Sequence, residues 1–216
     1  MEPFRLCVAL APLAAYMVGV ALINCRRRPV VVAGSRDLAG LGLGIAGLLV
    51  VGPVELLLPT IPRELVPYMW MCLAITYCLL LTLGVMLSRP RLIVYNVALD
   101  QLRPALADVL EELDPHARWA GNSIALPKLR IEFYLDDHPS LRNVSLIATA
   151  TPQSHTGWRS LEKSLRTALR ESVETSPNAW GFGVLAAALA MFGRMGWLAC
   201  FHRQEITQGF QEMMRF

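Results

Sequence analysis

LAGLGLGIAGLLVVG, residues 38–52, decides how this chain is read. Within it GLGIAG (42–47) has the G-x-G-x-x-G spacing of a dinucleotide-binding turn. It follows the apolar run VVVAG, and an acid, Glu64, stands about twenty residues on. That chemistry needs strand, glycine turn, helix and second strand in one soluble unit, so that a pyrophosphate meets a helix N-terminus. Here apolar residues surround the glycines and no second strand precedes Pro59. A phosphate would have to enter hydrocarbon, so no cofactor is expected. A membrane helix accounts for the same residues better. Gly40 and Gly44 form G-x-x-x-G, and Gly47 lies one turn further on the same face. Positions without side chains let a second helix backbone approach closely.

The rest of the chain agrees with that reading. Of 216 residues 54% are hydrophobic and only 17% charged, against roughly 25% charged in a soluble domain. Mean hydropathy is +0.42. The apolar residues concentrate in blocks 6–24, 38–58, 66–87 and 179–200. Each is near the roughly 20 residues that carry a helix across about 30 Å of hydrocarbon. The first block has one arginine before it and CRRRP after it. A cleaved signal peptide has the opposite order, so an uncleaved anchor is expected. The five cysteines, Cys7, Cys25, Cys72, Cys78 and Cys200, lie in or beside these blocks without a C-x-x-C pair. They read as small apolar side chains rather than metal ligands or a disulfide framework.

Charge placement gives orientation. Arg26, Arg27, Arg28 and Arg36 lie between blocks one and two, and Arg89 and Arg91 follow block three. The segment PTIPREL between blocks two and three has one Arg and one Glu. The positive-inside rule then places the N-terminus outside and residues 89–177 in the cytoplasm. The six juxtamembrane arginines would each gain about 1 kcal/mol near anionic headgroups. In the second helix Asp37 is the expected N-cap, and Pro59 and Pro62 the stop. Tyr68 and Trp70 sit at interface depth in the third. Trp180 and Trp197 bracket the fourth, the weakest span because of Arg194.

Residues 89–177 have a different pattern. RLIVYNV (91–97) reads as a strand, and 100–113 as a helix with Leu102, Leu106, Val109, Leu110 and Leu113 on one face. RWAGNSIALP reads as a strand broken by a Gly-Asn turn, a candidate hairpin. KLRIEFYL (128–135) alternates, with Leu129, Ile131, Phe133 and Leu135 to one side. NVSLIATA (143–150) is a further strand. A last helix over 157–174 sets Trp158, Leu161, Leu165, Leu169 and Val173 opposite Arg159, Glu162, Lys163, Arg166 and Arg170. The order β-α-β-β-β-α predicts a small two-layer α+β domain with helices on one side of a largely antiparallel sheet. SPN (176–178) leads to the fourth span and a short tail, residues 178–216. Residues 1–88 hold the first three spans.

Glu55 and Arg194 are the ionisable residues within the spans. Glu55 lies about 60° round the helix from Gly40, and the two charges differ in depth by only about 5 Å. An ion pair between them is expected in the outer half of the bundle. Asp136, Asp137 and His138, with His116 and His155, have no metal-ligand spacing, and DDHP is ordinary turn chemistry. NVS (143–145) falls in an expected strand on the cytoplasmic side and is not read as a glycan acceptor. There is no G-x-S-x-G, Walker loop, H-E-x-x-H or Cys–His nucleophile pair. No basic strand studded with aromatics points to nucleic acid, and the charged face of the last helix reads as solvated.

The phrases RRRPVVVAGSRDLAGL, GPVELLLP, SRPRLIVYNV, RWAGNSIALPKL and LRNVSL give the chain a likeness over most of its length. It resembles a set of uncharacterised bacterial multi-pass inner-membrane proteins. The resemblance implies a multi-pass architecture and transfers no catalytic residue. The expectation is a four-span helical membrane protein with an inserted α+β cytoplasmic domain, acting in interaction, assembly or regulation. Its partners would be the lipid bilayer and a second copy or another membrane protein. The runner-up is an oligomeric transport component using Glu55; a third reading is a membrane enzyme, whose polar cluster at the interface is not found.

Overall fold

The computed structural model describes residues 3–57, 62–139, 142–149, 153–172, 179–205 and 207, and only the backbone at 53–57, 63 and 172. The chain divides into two compact units, one of residues 1–20, 38–87 and 183–216, the other of 21–37 and 88–182.

The first unit is helical. It holds α3 (Val66–Leu87), entered by a 3-10 turn at Arg63–Leu65, and the greater part of α1 (Pro3–Asn24), α2 (Gly34–Leu57) and α6 (Ala179–Phe201). All four are long and apolar enough to cross a membrane, by length and composition. None of the most apolar stretch of α3 is buried within the chain, and Leu79 and Met86 are 64% and 78% exposed. Soluble monomers do not leave apolar surface on this scale facing water.

The second unit is an antiparallel sheet with two helices. Its elements are β1 (Val30–Ala33), β2 (Arg91–Tyr95), α4 (Leu99–Leu113), β3 (Arg118–Ala120), β4 (Ser123–Leu126), β5 (Ile131–His138), β6 (Asn143–Ala148) and α5 (His155–Ser172). The six strands run in the order β1-β2-β6-β5-β4-β3, and every neighbouring pair is antiparallel. RWAGNSIALP makes two strands, β3 and β4, because Gly121 takes the left-handed φ of +63° that a tight reversal needs. Strand alternation buries Ile131, Phe133 and Leu135. The apolar stripes of α4 (Leu102, Leu106, Leu110) and α5 (Leu161, Leu165, Leu169) join them in one core and are fully buried. Each such side chain contributes about 1.5–3 kcal/mol by leaving water. Trp158 closes the core against Phe133 with ring centroids 5.8 Å apart.

Two sequence expectations are corrected. The sheet does not start at residue 91. Val30–Ala33, between the first two apolar helices, pairs with β2 from Val30↔Tyr95 to Ala33↔Leu92, so the folded unit reaches back beyond the expected boundary at 89. Four apolar residues beside an arginine run carry no local strand signal, since their partner lies beyond α2 and α3. The second correction concerns Asp37, which stands inside the first turn of α2 instead of capping it. β1 ends at Ala33 and the helix begins at Gly34. A Cβ at Gly34 would overlap the Arg91 side chain. Asp37 instead accepts a hydrogen bond from the Tyr95 hydroxyl at 2.9 Å. The expected stop at Pro59 and the junction at 176–178 lie outside the described residues.

Candidate functional site

The sheet unit contains a cleft of about 530 Å³ lined by Arg26, Arg27, Arg28, Arg166 and Arg170, with Pro29, Val30 and Val31 completing it. One wall is the short connection from α1 to β1. It is fixed at both ends. On the α1 side, the Cys25 amide donates to the Ala21 carbonyl at 2.8 Å. Asn96, fully buried and held at φ +59°, donates from Nδ2 to the Arg26 carbonyl at 2.5 Å. On the other side Pro29 is buried and the β1 ladder begins at once. The other wall is α5, where Arg166 and Arg170 stand one turn apart on the same face.

Arg166 ties the walls together. Its Nη2 donates to the Val31 carbonyl at 3.2 Å and to Glu162 Oε1 at 2.8 Å. The first bond also covers the open edge of β1, which would otherwise present bare backbone to other strands. Glu162 is further approached by Arg36 at 3.7 Å. Thus Glu162, the acid paired with the cleft residue Arg166, is already shared by two cations, and no carboxylate lines the cleft among the described residues. Guanidinium groups stay charged throughout the physiological range and offer several donors each in a planar fork.

The sequence separates these arginines into two sets, with Arg26, Arg27 and Arg28 as marks of topology and Arg166 and Arg170 on a solvated helix face. The structure brings all five to one void. The i, i+4 spacing on α5 is visible in the sequence, but its meeting with residues 26–31 depends on β1, which sequence reasoning missed. Of the other juxtamembrane arginines, Arg36 faces Glu162, Arg91 fills the space beside Gly34, and Arg89 is exposed.

In the helical unit Gly40, Gly44 and Gly47 all face α1. A Cβ at Gly40 would stand 3.4 Å from the Tyr16 ring, and one at Gly44 3.0 Å from Tyr16 Cβ. At Gly47 it would meet helix backbone, 2.7 Å from the Ala9 carbonyl and closer still to that of Val8, with Pro12 Cδ at 3.0 Å. Pro12 lies inside α1 and has no N–H to give the Val8 carbonyl. The closest helix approach therefore falls where α1 exposes backbone. Gly42 is different. It lies about 200° round α2 from Gly40 and faces α3, where a Cβ would overlap Leu81. The Tyr77 hydroxyl donates to the Gly42 carbonyl. The hexapeptide thus serves two neighbours, and a single stripe at i, i+4 spacing does not include Gly42.

The side chain of Glu55 lies outside the described residues. Arg194 is exposed and its guanidinium sits 5.8 Å from the centroid of the Trp197 ring, in cation–π range. Among the described residues no three His, Cys, Asp or Glu side chains gather as metal ligands. Asp114, which sequence reasoning did not single out, is fully buried. Its Oδ1 and Oδ2 accept the amides of His116 and Lys128 at 3.0 and 2.8 Å, joining the two ends of the β3–β4 hairpin. The Asp-Pro pair that follows α4 is the sequence signal for this turn.

The fold and cleft define a chain with four apolar helices and an antiparallel α+β unit bearing an arginine-lined cleft. No protein-family model, curated protein or solved structure matches it.

Proposed function

We propose that the chain is a four-span integral membrane protein of the bacterial inner membrane that presents its α+β unit at the cytoplasmic face. It acts there as an interaction, assembly or regulatory component, without catalysis of its own. One observation carries this reading. The sheet unit comprises residues 21–37 and 88–182, so the end of α1, the start of α2, the segment after α3 and the start of α6 all belong to it. These are the four junctions that the arginine bias assigns to the cytoplasm. A unit spliced into every span at one end is suited to transmit or receive contacts at the membrane. Its edge strand β3 is exposed along its whole length, Trp119 included, and offers a surface to a partner.

The test is photo-crosslinking in cells from the full chain. A crosslinkable residue at Trp119 should give one recurrent protein adduct, recovered again from Arg118 and not from Met86 on α3. Flux through liposomes containing the purified chain, abolished by Glu55→Gln, would overturn the reading in favour of transport.

A further inference from the structure

Topology alone accounts for arginines at the end of α1, but it does not account for Arg166 and Arg170. These two lie on α5 and are carried to the same void by the folding of the sheet unit. Like charges facing one space repel unless an anion or water separates them. Here the cleft's two walls are joined by the Arg166–Val31 bond, and Glu162, the acid that Arg166 meets, is engaged by Arg36 as well. The remaining positive charge has no internal counter-ion among the lining residues.

We propose that this cleft binds a phosphate ester, presented as the headgroup of an anionic phospholipid or as a soluble phosphorylated molecule. The volume of about 530 Å³ is that of a small-molecule site. Guanidinium forks arriving from two walls suit a tetrahedral anion that accepts from several directions. The lining has no aromatic side chain on which a base could stack, which sets the phosphate apart from nucleic acid as ligand. Arg26 follows Asn24, the last residue of α1, by two positions. The lipid source rests on the membrane reading above; the phosphate chemistry stands without it.

Among the described residues the side chains of Arg27 and Arg170 hold no hydrogen bond or ion pair, so Arg27→Gln with Arg170→Gln removes two cleft charges without removing a polar side-chain contact. Arg159→Gln with Lys163→Gln removes two exposed charges, from α5 outside the lining. The full chain is assayed in neutral detergent with inorganic pyrophosphate by calorimetry. It is then assayed in phosphatidylcholine nanodiscs with and without phosphatidylglycerol, by retained lipid in native mass spectrometry. The cleft pair should weaken binding about tenfold or more, as expected for loss of charge-assisted bonds, and the control pair less than about twofold. Retention of phosphatidylglycerol without pyrophosphate binding assigns the lipid source, and pyrophosphate binding alone assigns the soluble one. A cleft pair that loses no more than the control pair, or a chain that holds neither probe, overturns the proposal. A chain that binds pyrophosphate but fails to span a membrane keeps the cleft and sinks the membrane reading.

Discussion

Three glycines of one helix carry graded demands, and their alanine variants should rank accordingly. At Gly40 the added methyl meets only the rim of Tyr16 at 3.4 Å. Helix propensity then dominates, and Gly40→Ala should change stability by no more than about 0.5–1 kcal/mol, in the stabilising direction. At Gly44 the neighbour is Tyr16 Cβ at 3.0 Å, close to the α1 backbone, and the two effects should nearly cancel. At Gly47 the methyl runs into the carbonyls of Val8 and Ala9. Backbone cannot rotate away as a side-chain tip can, so Gly47→Ala should cost about 1–3 kcal/mol. Denaturant titration in detergent, followed by helix signal, reads the order; Gly40→Ala as the worst of the three would refute the packing argument. The i, i+4, i+7 spacing makes the shared face of these three positions legible in the sequence alone, and α1 as the helix that meets it is not. Gly42 and Asp114 are not legible in that way. One needs a helix with neighbours on opposite sides, and the other needs a hairpin whose two ends are brought to a single carboxylate.

Among the elements, β1 determines what the sheet unit includes. Its Val31 carbonyl turns outward to Arg166, and successive residues of a strand alternate, so Val32 turns its backbone toward β2. Val32→Pro should therefore remove a ladder donor, destabilise the sheet unit by about 2 kcal/mol and loosen the cleft wall. Limited proteolysis between residues 26 and 33 would reveal it, and unchanged protection there would show that β1 is dispensable. The helices α4 and α5 are readable because their apolar faces repeat at the helical period, and β5 because it alternates. β1 has neither length nor period. Its identity as a strand is conferred by β2 and α5, which no local window contains.

For the molecule as a whole, composition is enough to find four apolar helices, and charge bias enough to orient them as an expectation. The division into units is not legible in the same way, because residues 21–37 look like a loop between spans until the sheet claims them. Orientation is open to direct measurement. On the proposed cytoplasmic placement, Trp119→Cys in a cysteine-free background should react with a membrane-impermeant maleimide only after the membrane is opened. Labelling of intact spheroplasts would place the sheet unit outside and reverse the topology.

The placement of β1 also sets an order of synthesis. It leaves the ribosome ahead of α2 and α3, whereas its pairing partner, residues 91–95, comes after both. A nascent chain halted after Leu87 thus holds one edge of a sheet that does not yet exist, flanked by arginines with no opposite wall. Only when α5 has emerged can Arg166 reach Val31. The cleft is then a late product of biogenesis, formed after three of the four apolar helices have been made, and its completion marks a chain whose sheet has closed.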